Sequence, residues 1–205
     1  EIPDLPTHIL VKVILEFRNM NLSRRRFIGA VALSTTGLVA PRAHAIVRTG
    51  PQPALLPRAM AALHAHGNSI LSRDVIGIVD FAAPSRVPRF QLVDIANGRV
   101  LTSLLVSHGR GSDPGNSGFV QRFSNVPGSN ASSSGSFLTG DTYLGKHGTS
   151  RRLRGLDAEN SMAMQRAIVI HGASYVDREM AISKGRIGRS QGCFAFAEED
   201  IRLIL

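Results

Sequence analysis

The feature that most constrains the fold is a series of short β-type runs separated by glycine-rich turns, which begins at Asp74. Asn97-Gly98 lies between two of these runs and is typical of a β-hairpin turn. Residues 109–136 are rich in Gly and Ser and are predicted to be mostly loop. Helices are predicted only near the two ends, at 58–72 and from 198. The predicted strands cover residues 75–81, 89–94, 100–106, 140–144 and 167–171. The chain is therefore expected to form a mostly β domain with short flanking helices.

Composition excludes several other classes of protein. Apolar residues make up 43% of the chain, which excludes collagen, a disordered tail and a polytopic membrane protein. The single cysteine, Cys193, excludes an internal disulfide framework, a CxxC redox pair and a multi-cysteine zinc site. The net charge of +9 suits an acidic polymer as a partner, and we interpret Arg151, Arg152 and Arg154 as a solvated face. No nucleic acid partner is predicted, because no helix-turn-helix, aromatic RNA platform or zinc-finger spacing is present.

Residues 20–45 have the three parts of an export signal. Ser23-Arg24-Arg25-Arg26-Phe27-Ile28 is basic, the run from 30 to 40 is apolar, and Ala43-His44-Ala45 supplies a small-residue cleavage site. The paired arginines resemble a twin-arginine signal. The apolar run is shorter than the ~20 residues of a membrane-spanning helix, so no stable transmembrane span is expected after cleavage. We therefore predict a periplasmic or cell-wall-facing protein.

Four segments are predicted along the chain. Residues 1–19 are interpreted as upstream sequence that precedes the natural start at Met20, and residues 20–45 are the signal. Residues 46–73 form a linker and a helix, and residues 74–205 form the main domain.

Two residues in the C-terminal part of the chain could carry chemistry. His171 follows the apolar run Ile168-Val169-Ile170, and Cys193 follows Ser190-Gln191-Gly192. A thiol nucleophile needs a base, and imidazole titrates near neutral pH, but only folding can bring together residues that are this far apart. An inert core cysteine remains the alternative. Export favours the nucleophile, because an idle thiol is a liability in an oxidising compartment. An activated Cys193 is expected to have a pKa below ~8.5.

These residues resemble the L,D-transpeptidase (YkuD-like) family, in its murein L,D-transpeptidase catalytic-domain branch. His171-Gly172 followed by Ser190-x-Gly192-Cys193 is similar to the family's strand-borne His-Gly and its Ser/Thr-His-Gly-Cys loop. The branch is indicated by Ser107-His108-Gly109 and by the segments 135–140, 143–148, 153–156 and 166–176. The resemblance covers roughly residues 74–195. It implies a small β-sandwich or barrel with the catalytic cysteine on a loop at one end.

The resemblance also implies roles for individual residues. Cys193 is the implied nucleophile and His171 its base, while the amides of Gly192 and Cys193 form the oxyanion hole. Ser190 and Gly172 are implied to support the loop. The expected substrate contacts are Tyr143, Arg186, Arg189 and Gln191. No metal ion and no organic cofactor is implied.

The implied reaction is acyl transfer on peptidoglycan stem peptides. Cys193 attacks the carbonyl of the third stem residue and expels D-alanine, and the thioester passes to an amine to give a 3–3 cross-link. Carbapenems are expected to acylate the same thiol. The alternatives are an L,D-carboxypeptidase or amidase, and a catalytically inactive cell-wall-binding module. DNA binding is a third alternative, which the export signal opposes.

Some features depart from the family pattern. Gln191 stands where the family has histidine, and Phe194 follows the cysteine where a smaller residue is common. His108 and His147 also precede glycine and could serve as the base, although we interpret them as turn residues. Family domains continue further beyond the cysteine than this chain does. We expect that the C-terminus is truncated or that the domain closes differently.

Overall fold

The computed structural model describes the backbone of His8–Lys12 and all of residues 53–205. The predicted signal at 20–45 and its cleavage site lie outside the described residues, so both stay predictions. The described residues form eight strands and two α-helices. The strands are β1 (His8–Lys12), β2 (Val75–Asp80), β3 (Phe90–Asp94), β4 (Arg99–Leu104), β5 (Gly135–Gly145), β6 (Gly148–Gly155), β7 (Val169–Gly172) and β8 (Phe194–Phe196). The helices are α1 (Leu56–Ala65) and α2 (Arg178–Lys184). The mostly β fold is thereby confirmed.

The strands form one hydrogen-bonded series in the order β4-β3-β2-β1-β5-β6-β7-β8. Pairing is antiparallel except for β1 with β5 and β7 with β8, which run parallel. The chain that follows β4 returns to the other end of this series, where the Ser107 amide donates to the Ala195 carbonyl at 2.9 Å. The sheet therefore curls until its two ends meet, as in a barrel.

Local sequence explains most of these elements. β2 reads Val-Ile-Gly-Ile-Val-Asp, and its four central residues are buried. The hairpin of β3 and β4 turns through residues 95–98, where Gly98 has φ +67°. In α2 the Asp177 side chain accepts a hydrogen bond from the Met180 amide, and Gly185 ends the helix with φ +64°. α2 was not among the predicted helices, although both end signals are present in the sequence.

The main core lies inside the curled sheet. Phe90 on β3 packs edge-on against Phe196 on β8 with ring centroids 4.9 Å apart, and Phe137 packs similarly against Phe194 at 5.4 Å. A second cluster under α2 includes Leu105 and Ala195. Side chains of β8 thus alternate between the two cores, which fixes the direction in which the preceding residue, Cys193, can point.

Two sequence expectations are wrong. The helix expected from residue 198 is a single 3-10 turn at Ile201–Leu203, because so short a segment cannot stabilise a helix by itself and instead packs Ile204 into the core. The arginine cluster is not wholly solvated, since it lies on β6 and strand alternation turns Arg151 inward. β1 lies between β2 and β5, and the interpretation of residues 1–19 as upstream sequence stays a prediction.

Candidate active site

His171 lies on β7, and Cys193 immediately precedes β8, the parallel neighbour of β7. His171 lies opposite Ala195 in the pairing of β7 with β8, and Cys193 is two residues before Ala195. Because side chains alternate along a strand, Cys193 and Ala195 point to the same face as His171. Both His171 and Cys193 line one cavity of about 550 Å³. The fold thus brings the predicted nucleophile and the predicted base to a common space.

The loop before Cys193 is held by the Ser190 hydroxyl. This hydroxyl donates to the Cys193 carbonyl at 2.7 Å and accepts from the Gly192 amide at 3.1 Å. Gly192 has φ +118°, and a Cβ there would lie 2.8 Å from the Ala131 carbonyl oxygen. Only glycine fits this position. The Gly192 amide, one of the two predicted oxyanion donors, already donates to the Ser190 hydroxyl. The Cys193 amide is therefore the candidate donor to the oxyanion.

The tautomer of His171 follows from its backbone contact. Its side chain is buried, and the Nδ1 atom lies 2.8 Å from the Gly172 carbonyl oxygen. A carbonyl oxygen only accepts, so Nδ1 carries the proton and Nε2 keeps its lone pair. Burial is the main cause that lowers the pKa of His171, and the charges of His147 and Lys146 lower it further. His171 is therefore neutral at pH 7 and able to take a proton at Nε2.

The Cys193 thiol is half-buried and protonated at rest. Its Sγ–H donates to the Ala167 carbonyl at 3.6 Å, and Ala167 holds a left-handed conformation with φ +52°. Burial raises the pKa of Cys193, although the Val169 amide, Lys146 and Arg166 each lower it in part. The expectation of a pKa below the free value is therefore wrong for the resting protein. The pKa is raised because burial removes water from the thiol, and this desolvation cannot be read from the sequence.

The catalytic cavity, defined as the 550 Å³ space lined by His171 and Cys193, contains most of the expected substrate contacts. Tyr143, Arg189 and Gln191 line it. Arg186 does not, and its guanidinium instead donates to the Lys184 carbonyl at 3.2 Å. Gly172 lies at the end of β7, outside this lining.

The cavity lining also includes Lys146, Arg166 and Tyr175, which were not predicted individually as contacts. Arg166 donates to the carbonyl of Ser124 at 2.6 Å and to the Ser133 hydroxyl at 2.6 Å, which ties the Gly/Ser-rich loop to the segment before β7. Burial raises the pKa of Tyr175 to about 12, so its hydroxyl stays protonated. All three lie in segments that carried the family resemblance, which is the signal that could have found them.

The two other candidate bases have different surroundings. His147 lies in the turn between β5 and β6 and stacks on His171, with ring centroids 4.2 Å apart. His108 is fully buried and does not line the catalytic cavity. Its interpretation as a turn residue is wrong, because residue 108 follows β4 and lies in no turn. Its ring is enclosed by Phe81, Arg89 and Asp113.

Comparison with known protein families gives a match over residues 49–205 to the L,D-transpeptidase catalytic domain. The chain belongs to this family. Searches of curated proteins and of solved structures gave no significant match. An L,D-transpeptidase-type catalytic domain implies a peptidoglycan substrate, and family members are typically associated with the cell wall.

Two further properties of this L,D-transpeptidase domain concern metals and membranes. Within residues 53–205, no three side chains of His, Cys, Asp or Glu come together as ligands for a metal ion. In the same part of the chain, neither helix has the length and apolar character needed to cross a bilayer.

Proposed function

We propose that this L,D-transpeptidase-family protein is an exported cysteine acyltransferase that acts on peptidoglycan stem peptides. The observation that carries the proposal is that Cys193 and His171 line one cavity, while the Gly172 carbonyl holds His171 Nδ1 and so leaves Nε2 to act as the base. The pair supports a thioester intermediate rather than an inert thiol.

The resting protonation states determine the first step. Because Cys193 and His171 are both neutral, the Sγ proton moves to His171 Nε2 as Sγ attacks the carbonyl carbon of the third stem residue. The Cys193 amide donates to the resulting oxyanion. The tetrahedral intermediate collapses with cleavage of the C–N bond, and protonated His171 gives its proton to the departing D-alanine amine. In the second half-reaction the acceptor amine attacks the thioester and gives a proton to His171 Nε2, and His171 returns this proton to Sγ as the C–S bond breaks.

The charge of the catalytic cavity supports an anionic donor. Lys146, Arg166 and Arg189 line it, and no carboxylate side chain is among the described residues that do so. Arg166 and Arg189 are occupied by backbone carbonyls, whereas no hydrogen bond or ion pair joins Lys146 to the rest of residues 53–205. We assign the terminal carboxylate of the donor stem to Lys146.

A neighbouring cavity of about 700 Å³ supports transfer to an amine. It shares Lys146, His147 and Tyr175 with the catalytic cavity. Its wall carries both Arg202 and Glu198, and the Glu198 side chain supplies a carboxylate for a cationic acceptor. We assign the acceptor amine to this side. Glu198→Gln should lower cross-linked product and leave D-alanine release to water unchanged, and equal losses of both products would contradict this assignment.

The central test uses purified protein, tetrapeptide muropeptides and mass spectrometry of the products. His171→Asn keeps a donor for the Gly172 carbonyl but lacks a base, so product formation should fall about 10²–10⁴-fold. His64→Asn, on the exposed face of α1, is the matched control and should retain full activity. Dimers with a 3–3 link indicate transpeptidation, and shortened monomers alone indicate carboxypeptidase activity. Intact tetrapeptides would favour the inactive wall-binding module.

Carbapenem acylation provides a second measurement at the same thiol. The intact mass of the protein should increase by one adduct, and Cys193→Ala should take none because the chain has no other cysteine. Labelling of the alanine variant would contradict the assignment of the nucleophile.

Export is proposed from the arginine pair of the signal. Replacing Arg24 and Arg25 by lysine should leave uncleaved precursor in the cytoplasm, as judged by fractionation and immunoblotting. Unchanged export of this variant would refute the twin-arginine route, and a mature N-terminus other than Ile46 would refute the cleavage site.

A further inference from the structure

A buried set of charged and polar groups lies behind the catalytic loop and takes no part in the proposed chemistry. Arg89, His108 and Asp113 are each at most 3% exposed, and none lines the catalytic cavity. Burial of ionisable groups costs free energy unless every group has a hydrogen-bond partner. Each of the three side chains therefore needs hydrogen-bond partners within the fold.

The hydrogen bonds of this set run in one direction. Arg89 Nη2 lies 2.7 Å from His108 Nδ1, and a guanidinium can only donate, so Nδ1 is the acceptor. The proton of the neutral ring is then on Nε2, which donates to Asp113 Oδ2 at 3.3 Å. Burial, followed by the charge of Arg89, lowers the pKa of His108 to about 4, which agrees with a neutral ring. We call Arg89→His108→Asp113 the donor chain.

The donor chain is joined to the catalytic loop at several points. The His108 carbonyl accepts from the Ser190 amide at 2.9 Å, and the Arg110 amide donates to the Ser190 carbonyl at 2.8 Å. The Asp113 carbonyl accepts a hydrogen bond from Arg189 Nη1. Ser190 in turn holds both Gly192 and Cys193. Only two hydrogen bonds therefore separate the His108 backbone from the nucleophile.

The other side of Asp113 is tied to a surface turn. Its Oδ1 accepts from the Ser117 amide at 2.8 Å and from the Ser117 hydroxyl at 2.9 Å, and its Oδ2 accepts from the Gly118 amide at 2.8 Å. These donors hold the carboxylate ionised and lower the pKa of Asp113 despite its burial. These contacts hold the Asp113 carboxylate in place as the acceptor for the His108 ring.

We propose that His108 is a positioning residue for the catalytic cysteine: by donating from Nε2 to Asp113 it holds the segment 108–113 against the Ser190–Cys193 loop. The link to Asp113 is the essential one, because Arg89 keeps other partners. Its Nε and Nη2 donate to the Val106 carbonyl at 3.1 and 2.9 Å, and its Nη1 donates to the Ala83 carbonyl at 3.0 Å.

Two substitutions test separately the hydrogen bonds of His108 to Arg89 and to Asp113. His108→Gln places an amide donor where Nε2 lies and keeps the bond to Asp113, whereas His108→Asn keeps an acceptor for Arg89 and loses that bond. We expect the asparagine variant to lower kcat by about 10²-fold, as displacement of a reacting group by ~1 Å does, with KM within twofold of wild type. The glutamine variant should keep kcat within about threefold. Equal losses in both variants would overturn the proposal.

Hydrogen exchange of the Ser190 and Gly192 amides gives a readout that requires no substrate. In the asparagine variant these amides should exchange at least about tenfold faster than in wild type, and in the glutamine variant they should not. The activity measurement rests on the proposed function, but the exchange measurement does not. If wild-type protein turns over no stem peptide while this exchange pattern holds, the proposed function alone fails. If the exchange rates of both variants equal those of wild type, the positioning role fails.

A surface substitution provides a further test if His108→Asn does not fold. Ser117 is exposed, and Ser117→Ala removes the hydroxyl donor to Asp113 without disturbing the core. We expect a drop in kcat of about threefold to tenfold, faster exchange at Ser190 and an unchanged KM. Wild-type kcat together with wild-type exchange in this variant would overturn the proposal.

Discussion

Stability should depend on pH because His108 is neutral in the folded protein. Its pKa is lowered from 6.5 to about 4 by burial and by Arg89, and the groups that face it are Arg89 just before β3, Asp113 and Arg189. In the unfolded chain the imidazole returns to a pKa near ~6.5. As pH falls, the unfolded state therefore binds a proton before the folded state does. The stabilisation from neutral His108 is complete above pH ~6.5 and is lost as pH falls toward 4.

The size of the effect follows from the two pKa values. Over the whole window the difference corresponds to about 3 kcal/mol, and between pH 7 and pH 5 to about 2 kcal/mol. The interval from pH 7 to pH 5 avoids Asp113, because a carboxyl with a lowered pKa is still ionised at pH 5. The neutral His171 contributes with the same sign, since its pKa is also lowered.

Urea unfolding at pH 7 and pH 5, at constant ionic strength, measures this loss. His108→Gln is the control, because glutamine does not titrate while His171 and all other groups remain. The variant should lose about 2 kcal/mol less than wild type between the two pH values, whatever its absolute stability. Equal losses in the two proteins would mean that the folded state protonates His108 as readily as the unfolded state does. The donor chain would then be wrong.

Four other outcomes are expected. Lys146→Met should raise KM for tetrapeptide donors about tenfold and leave KM for donors with an amidated C-terminus unchanged, and equal effects on both donors would contradict the carboxylate assignment. Gly192→Ala should abolish carbapenem labelling within the assay time, because its φ of +118° and the Ala131 carbonyl at 2.8 Å leave no space for a Cβ. Phe137→Ala should lower the free energy of unfolding by about 3–5 kcal/mol, whereas Leu144→Ala, on an exposed residue, should change it by less than about 0.5 kcal/mol. A protein of residues 46–205, which lacks β1, should unfold in one sharp thermal transition, because β2 still pairs with β3 and β5 still pairs with β6. A broad transition would mean that the sheet requires β1.

Sequence patterning predicted the parts of the fold in which one local signal dominates. The buried run of β2 and the Asn97-Gly98 hairpin were predicted near their observed positions, because alternation and turn chemistry are properties of a few consecutive residues. β6 was not predicted as a strand because Arg151, Arg152 and Arg154 mask its alternation. The inward position of Arg151 becomes visible only when β6 pairs with β5 and β7.

The sequence by itself determined which groups are available for chemistry: one thiol, a histidine at the end of a β-run, and glycine where the backbone needs it. Tertiary structure decided how they act. Parallel pairing of β7 and β8 brings Cys193 to the same face as His171, and burial leaves both neutral at rest. The same folding encloses His108 between Arg89 and Asp113. Protonation and proximity depend on desolvation and on contacts between residues far apart in the chain, and neither property is encoded in any short stretch of sequence.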